Sequence, residues 1–215
     1  GKDIINLSEV SPFWYTFIAV SEKAMEKVKF VIDEREYRRL SKNEIESSAR
    51  VYKHLEIRAL FDAAGNADDF VCKHSRSLQS IMTCYDINLQ RAILPNLISL
   101  KVYSRNLERS PIKFKFDGLT LYTQCLEELH VYGKVNNPDI LIKSFEQNAN
   151  LKKLVLQQSA TNIFFKPMPS LDFQLQSLRV ETNFKPNESL FWRNFGKFLL
   201  GQSDSLTDLR INCSY

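Results

Sequence analysis

The sequence predicts an α/β solenoid in which short strands stack into one parallel sheet, each followed by a variable outer segment. The first observation is a repeated phrase, Leu-x-x-Leu-x-(Leu/Val), found at Leu97–Val102, Leu126–Val131, Leu151–Leu156 and Leu175–Val180. The second is that its last three positions carry apolar side chains at every second position, which a β-strand buries on one face. The third is that looser copies flank these four, at Met25–Phe30, Tyr52–Ile57, Leu78–Thr83 and Leu206–Ile211.

The spacing of the eight copies predicts a repeat protein. Successive copies start 19 to 31 residues apart, and most intervals lie near the period of leucine-rich repeats, about 20–29 residues. A single short strand cannot bury its apolar side alone, whereas stacked copies share a continuous core. We therefore predict a leucine-rich-repeat solenoid (a horseshoe) with a parallel concave sheet and variable helical or irregular convex segments. The predicted domains are an N-terminal cap over residues 1–24 and seven or eight repeats over residues 25–215.

The last copy of the phrase lies close to Tyr215. The polar lid with which a solenoid normally ends does not follow it. We expect either that the natural protein continues beyond this point, so that the repeats are truncated here, or that the last strand is an exposed edge that pairs with another chain.

Composition and charge argue against several classes of partner. The net charge is +4, from 29 basic and 25 acidic residues that are interspersed rather than blocked, so we expect neither nucleic acid nor membrane as a partner. No apolar run reaches membrane-spanning length, and no signal peptide opens the chain. The four cysteines form no Cys-x-x-Cys pair, which indicates buried thiols in a reducing compartment, the cytoplasm or nucleus.

Residue patterns associated with catalysis are missing from the sequence. The six glycines are scattered and form no phosphate-binding loop, and the three histidines lie in separate segments. No nucleophile elbow and no metal-binding helix motif is found. We therefore expect no enzyme activity, no cofactor and no bound metal.

Capping residues predict several outer helices. One is expected to begin at Pro138 after an Asn137 cap, and another at Ala67 after an Asn66 cap. A third, capped by Asn187 and ended by Gly201, carries an apolar stripe that we interpret as core rather than as a ligand site: Phe191, Phe195, Phe198 and Leu199.

Candidate binding residues lie on the predicted concave face. By strand alternation, side chains two, four and six places after each phrase start point away from the core. The four-place column begins with Lys29 and Glu56, and the six-place column with Val31 and Arg58. Further along, the two columns contribute the predicted protein-binding set: Lys101, Tyr103, His130, Tyr132 and, two repeats beyond the His130 strand, Arg179.

Tyrosine beside basic residues is a composition favoured at binding hot spots. It would suit an acidic or phosphorylated segment of a partner. The alternative interpretation is that long polar side chains merely fill an exposed strand face.

The N-terminal segment carries a resemblance to a known motif. Residues 3–17 read as a short helix, with Leu7 and Val10 on one side, followed by Val10-Ser11-x-x-Trp14. This segment resembles the second half of an F-box, which commonly ends in Val-Cys or Val-Ser followed by Arg-Trp; Phe13 stands where Arg or Lys is usual. The Leu-Pro opening of the motif is not in this chain. An F-box tail running directly into repeats is typical of the F-box/leucine-rich-repeat family.

This resemblance implies a substrate receptor of a cullin–RING ubiquitin ligase. Leu7, Val10 and Trp14 would then contact a Skp-type adaptor, and the repeats would hold the substrate protein. We therefore expect a protein-recognition module that binds its target on the concave face. The alternatives are a leucine-rich-repeat scaffold without a ligase connection, and a binder that regulates an enzyme by wrapping around it.

Overall fold

The repeats form a single sheet. The computed structural model describes residues 21–26, 28–32, 50–58, 64–84, 93–103, 125–133, 138–182 and 188–213, together with Phe13 and Thr16. Eight strands form one all-parallel sheet in which each strand pairs with the next in chain order. They are β1 (Lys29–Ile32), β2 (His54–Ile57), β3 (Ser80–Thr83), β4 (Ser99–Tyr103), β5 (Glu128–Tyr132), β6 (Lys153–Gln157), β7 (Ser177–Thr182) and β8 (Asp208–Cys213).

The strand predicted in each of the eight phrases is therefore confirmed, and the arrangement is consistent with a solenoid of the leucine-rich-repeat type. The described outer segments carry helices α1 (Glu22–Met25), α2 (Ala64–His74), α3 (Pro138–Glu146) and α4 (Ser189–Leu200), and one 3-10 helix, η1 (Gln158–Phe165).

The turn into each strand repeats the same backbone hydrogen bonds. The carbonyl of the second residue of a phrase accepts the N–H groups of the second and third residues of the next phrase. Glu127 O, for example, accepts from Lys152 N and Lys153 N, both at 2.9 Å. The same pair of bonds recurs at six successive junctions, with acceptors from Lys53 O to Gln176 O, at 2.7–3.1 Å, and so joins seven repeats. From β2 onward, the phrases are therefore stacked without an offset.

The register of β1 corrects one prediction. Lys29 lies opposite His54, and it is Val31 that lies opposite Glu56. The predicted columns that begin with Lys29 and Val31 are thus shifted by two residues at this strand. A shift of two leaves every side chain on its original face, whereas a shift of one would reverse them all. The alternation of apolar residues could not distinguish the two registers.

The apolar core lies on one side of the sheet. The second leucine of each well-matched phrase is at most 2% exposed, and so is the residue two places later. These leucines are Leu100, Leu129, Leu154 and Leu178. Among the described outer segments, η1 packs against β5, β6 and β7.

An aromatic cluster joins the outer segments of two repeats. Phe164 of η1 is fully buried, and its ring centroid lies 4.8 Å from that of Phe195 and 5.4 Å from that of Phe198 on α4. The amide of Asn194 also donates to Phe164 O at 3.1 Å. The prediction that the stripe on α4 is core is confirmed for its three phenylalanines, while Leu199 is only partly buried.

The helix boundaries agree with some of the capping signals. Helix α3 begins at Pro138 as predicted, but α2 begins at Ala64, three residues before the predicted Ala67. Glu188 occupies the cap position of α4. Gly201 ends α4 as predicted, although in a right-handed conformation with φ −68°. The predicted caps Asn137 and Asn187 lie outside the described residues.

The cysteines are less buried than predicted. All four are free thiols, but only Cys84 is buried; Cys125 is exposed, and Cys72 and Cys213 are half-buried. The prediction of buried thiols is therefore wrong for three of the four. A small side chain follows the exposure of its position in the helix, strand or loop, which the spacing of the cysteines does not report.

The last strand leaves apolar side chains uncovered. Leu209 and Ile211 of β8 lie opposite Leu178 and Val180, which are fully buried, yet they are 45% and 43% exposed. They are exposed because β8 has a neighbour on one side only among the described strands. The predicted exposed edge is present, and its pairing with another chain stays a prediction.

A histidine occupies a buried position beside the core. His74 at the end of α2 is 5% exposed, and its ring lies 4.4 Å from that of Phe70 and 5.3 Å from that of Tyr52. Its Nε2 has no hydrogen-bond partner among the described residues. Burial, helped by the positive charge of Lys73, lowers the pKa of His74 from 6.5 to about 4. At neutral pH this histidine is therefore uncharged.

His74 is expected to make the fold sensitive to mild acid. The unfolded chain binds a proton at pH values below about 6.5, whereas the folded chain binds it only near 4, so stability falls as pH drops through this interval. Between pH 7.5 and 5.0, the loss expected from this residue is up to about 2 kcal/mol. Urea denaturation at the two pH values measures it.

Gln202 supplies the matched variant for that experiment. It occupies the equivalent position four residues before its phrase, and both backbone carbonyls accept the N–H of the phrase leucine, at 3.0 Å for His74 and 3.1 Å for Gln202. His74→Gln is expected to reduce the difference in stability between the two pH values by up to about 2 kcal/mol. An unchanged difference would show that His74 does not titrate in this range.

Candidate binding face

The predicted binding residues lie on the face of the sheet that points away from the apolar core, called the open face here. Strands β4 and β5 both alternate half-buried and buried residues along their length. Lys101 lies opposite His130, and Tyr103 lies opposite Tyr132. The two tyrosine rings are 6.2 Å apart and inclined at 38°. The structure thus brings these four side chains together, and their role in binding stays a prediction.

Arg179 lies further along the same row. His130 is opposite Val155 on β6, and Val155 is opposite Arg179 on β7. Two strand spacings of about 4.8 Å separate Arg179 from His130. Arg179 is therefore on the same face as the other four residues but not in their immediate group.

Glu128 lies at the centre of an ion network that the sequence analysis missed. Its carboxylate accepts hydrogen bonds from Ser99 Oγ at 2.6 Å and Lys153 Nζ at 2.7 Å, and Lys101 Nζ lies 3.2 Å away. Glu128 occupies the two-place column, which points to the open face but contributed no candidate. The sequence did contain a signal for this network. Glu128 lies two places after its phrase start, Lys101 lies four places after the preceding start, and Lys153 lies two places after the following start.

The network keeps Glu128 ionised. Desolvation on its own would raise the pKa of this carboxyl group. The hydrogen bonds from Lys153, Ser99 and Lys101 outweigh desolvation and bring the pKa down to about 2. The carboxylate in turn fixes the two lysine side chains across three adjacent strands.

His130 is neutral despite its acidic neighbour. Burial is the largest influence and lowers the pKa of His130 from 6.5 to about 4, while the charge of Glu128 opposes this shift. The Nε2 atom lies 3.0 Å from Glu128 Oε1, but the direction of the ring N–H does not satisfy hydrogen-bond geometry. We therefore treat the contact as electrostatic. His130 is therefore a neutral part of the open face at pH 7 rather than a third cation.

A depression of about 320 Å³ opens beside this network. Four of the five predicted residues line it, and Lys101 does not. Burial raises the pKa of Tyr103, so its hydroxyl stays protonated at neutral pH and can donate a hydrogen bond. The side chains that line the depression include Tyr103, His130, Tyr132, Lys153, Val155, Gln157, Ser177, Arg179, Asp208 and Arg210.

A second ion-paired carboxylate, in this case a buried one, lies near the other end of the sheet. Glu56 on β2 is 3% exposed and contacts Lys29 Nζ at 2.8 Å and Arg58 Nε at 2.5 Å. The hydrogen bond from Arg58, and to a smaller extent that from Lys29, lowers the pKa of Glu56 against the effect of burial. Glu56 thus holds both cations of this group, and the three charges together leave one net positive charge.

The residues of the F-box-like segment lie outside the described part of the chain. This holds for Leu7, Val10 and Trp14, so their expected contact with an adaptor stays a prediction. Of that segment, Phe13 is described in helical conformation and is 69% exposed.

Two further searches concern the described residues alone. No group of three or more His, Cys, Asp or Glu side chains there is placed to hold a metal ion. Within the same ranges, no helix is long and apolar enough to cross a membrane.

Comparison of the chain with family models, with curated proteins and with solved structures finds no match. The F-box resemblance therefore depends on the residues quoted for it above, and it stays a hypothesis.

Proposed function

We propose that this protein is a protein-recognition module that binds a partner on its open face. The observation that carries the proposal is the group of Tyr103, Tyr132 and Arg179 around one depression. Tyrosine and arginine are the residue types most enriched at binding hot spots. The adjacent side chains of Lys101 and Lys153 are already held by Glu128, so they lose little side-chain entropy when a partner docks.

We further propose that the partner is the substrate of an F-box ubiquitin ligase. Support comes from the order of parts in the sequence, an F-box-like Val10-Ser11-x-x-Trp14 followed directly by repeats. In this role the chain works with a Skp-type adaptor and a cullin and catalyses nothing itself. It raises the effective concentration of the substrate near the ligase.

The test is affinity capture from cell extract with the natural-length protein, followed by mass spectrometry and by titration of any partner recovered. Combining Tyr103→Ala, Tyr132→Ala and Arg179→Ala is expected to weaken binding at least about 100-fold, since one hot-spot truncation costs about 2 kcal/mol or more. Replacing the exposed outer residues Lys143 and Glu146 by alanine is the matched control and is expected to leave binding unchanged.

The outcomes separate the two proposals. A partner that binds the triple variant as tightly as the parent would contradict recognition on the open face, provided that the thermal unfolding of the two proteins agrees. Recovery of a Skp-type adaptor and a cullin supports the ligase role. Capture of a partner on the open face with neither of them would leave a repeat scaffold or an enzyme-regulating binder.

A further inference from the structure

Two arginines face each other at the far end of the depression. Arg179 on β7 is the direct register partner of Arg210 on β8. Their side chains are 48% and 68% exposed, and both line the depression. Like charges directly opposite each other on adjacent strands are destabilising. The arrangement is therefore unfavourable for the sheet alone, and such departures from local rules are expected at functional sites.

Each guanidinium is held by a carboxylate of its own strand. Arg179 donates from Nε to Glu181 Oε1 at 2.8 Å, and its Nη2 contacts the same oxygen. Arg210 donates from Nε to Asp208 Oδ1 at 3.1 Å. The two carboxylates lie on opposite sides of the arginine row, Glu181 two places after it and Asp208 two places before it.

These contacts leave donors unused on both arginines. Arg179 Nη1 and both terminal nitrogens of Arg210 make no hydrogen bond among the described residues. Lys153 adds a third cation to the lining, but each of the three cations is paired with a carboxylate: Arg179 with Glu181, Arg210 with Asp208 and Lys153 with Glu128. The depression therefore offers an anion unused guanidinium donors rather than an excess of positive charge, and these donors come from two adjacent strands about 4.8 Å apart.

We propose that Arg179 and Arg210 together bind one anionic group, a carboxylate or a phosphate, of a partner. Guanidinium donors match both groups in geometry, and hydrogen bonds between ions are stronger than neutral ones. An anion between the two side chains replaces their mutual repulsion by two attractive contacts. That the anion belongs to a protein partner rests on the function proposed above, whereas the anion site itself does not.

Asp208 is the internal competitor for this anion. Ser177 Oγ donates to its Oδ2 at 3.1 Å, and the hydrogen bonds from Arg210 and Ser177 lower the pKa of this carboxyl group. Asp208 is therefore ionised at neutral pH and repels an incoming anion. Asp208→Asn removes that charge while keeping the shape of the side chain, and it is expected to tighten anion binding several-fold.

The experiment is an NMR titration of the ¹⁵N-labelled chain with inorganic phosphate and, separately, with acetate, at constant ionic strength set by chloride. The Nε–Hε signals of Arg179 and Arg210 are expected to shift together and to saturate. Arg179→Gln and Arg210→Gln should each weaken phosphate binding at least about five-fold. Arg193→Gln on the exposed outer side of α4 is the matched control and should change nothing.

Three results would overturn the proposal. They are shifts that grow linearly without saturation, equal shifts of the Arg193 signal, and saturable binding that survives replacement of both arginines. Backbone amide signals of β7 and β8 report whether each variant is folded. If the double variant does not fold, Arg210→Lys keeps the charge but loses the forked donor, and it should still weaken binding.

These experiments identify the source of the anion, and they distinguish failure of the anion site from failure of the proposed function. Phosphatase treatment of the extract before capture should abolish partner binding if the group is a phosphate and leave it intact if the group is a carboxylate. If anion binding does not saturate but a partner is still captured on the open face, only the proposed arginine site is contradicted. If phosphate binding saturates but no partner binds the open face, only the proposed function is contradicted.

Discussion

Phe164→Ala is expected to lower the free energy of unfolding by about 3–5 kcal/mol, the usual cost of deleting a buried phenylalanine ring. Phe164 is fully buried, and its ring contacts three phenylalanines of α4: Phe191, Phe195 and Phe198. The cavity would therefore lie at the junction of two outer segments. Guanidinium denaturation followed by circular dichroism measures the loss.

Phe165 is the matched control for this substitution. It is the next residue of η1 but is only half-buried, and its ring lies 5.7 Å from that of Phe191. Phe165→Ala is expected to cost about 1–2 kcal/mol, because part of its apolar surface is already in contact with water. The bond from Asn194 to Phe164 O involves the backbone and persists in both variants. Equal losses for the two variants would contradict the packing described here.

The second large effect is expected at the core column of the sheet. Leu178→Ala should cost about 2–5 kcal/mol, whereas Leu209→Ala, directly opposite on β8, should cost about 1 kcal/mol. The two residues have the same type and the same place in the phrase, and they differ in burial, 0% against 45% exposed. Urea denaturation of both variants measures the difference.

An unexpected result for this pair would itself be informative. If Leu209→Ala lowers the free energy of unfolding as much as Leu178→Ala does, the apolar face of β8 is covered in solution. The dependence of stability on protein concentration would then tell whether a second molecule covers it. If neither costs more than about 1 kcal/mol, the column does not form the core.

The sequence was sufficient to predict the eight strands and their order. A buried residue at every second position reports which face a side chain takes, so the phrases located each strand and paired Lys101 with His130 correctly. The same alternation carries no information on a shift by two residues, and this is why Lys29 was aligned with Glu56. Helix starts were predicted where proline fixes the first turn, as at Pro138, and missed at α2, where the structure begins three residues earlier.

The candidate site was predicted less completely, for a physical reason. Glu128 is important because of what the two neighbouring strands place around it, the hydroxyl of Ser99 and the ammonium groups of Lys101 and Lys153. Such a network depends on which residues are close in space. A search for the residue types common at binding sites, tyrosine and basic residues, does not select the glutamate at its centre. The neutrality of His130 is likewise set by burial, which no local pattern reports.

The repeated carbonyl contacts at the strand entries have a consequence for how such a chain can change. Repeats of 19 to 31 residues enter the sheet through the same pair of hydrogen bonds wherever these are described. Residues added to or removed from an outer segment are therefore absorbed before the next entry, and the rows of the sheet keep their alignment. The outer segments can vary in length while the rows of the open face keep their register. Each row of that face can therefore be altered by point substitution alone.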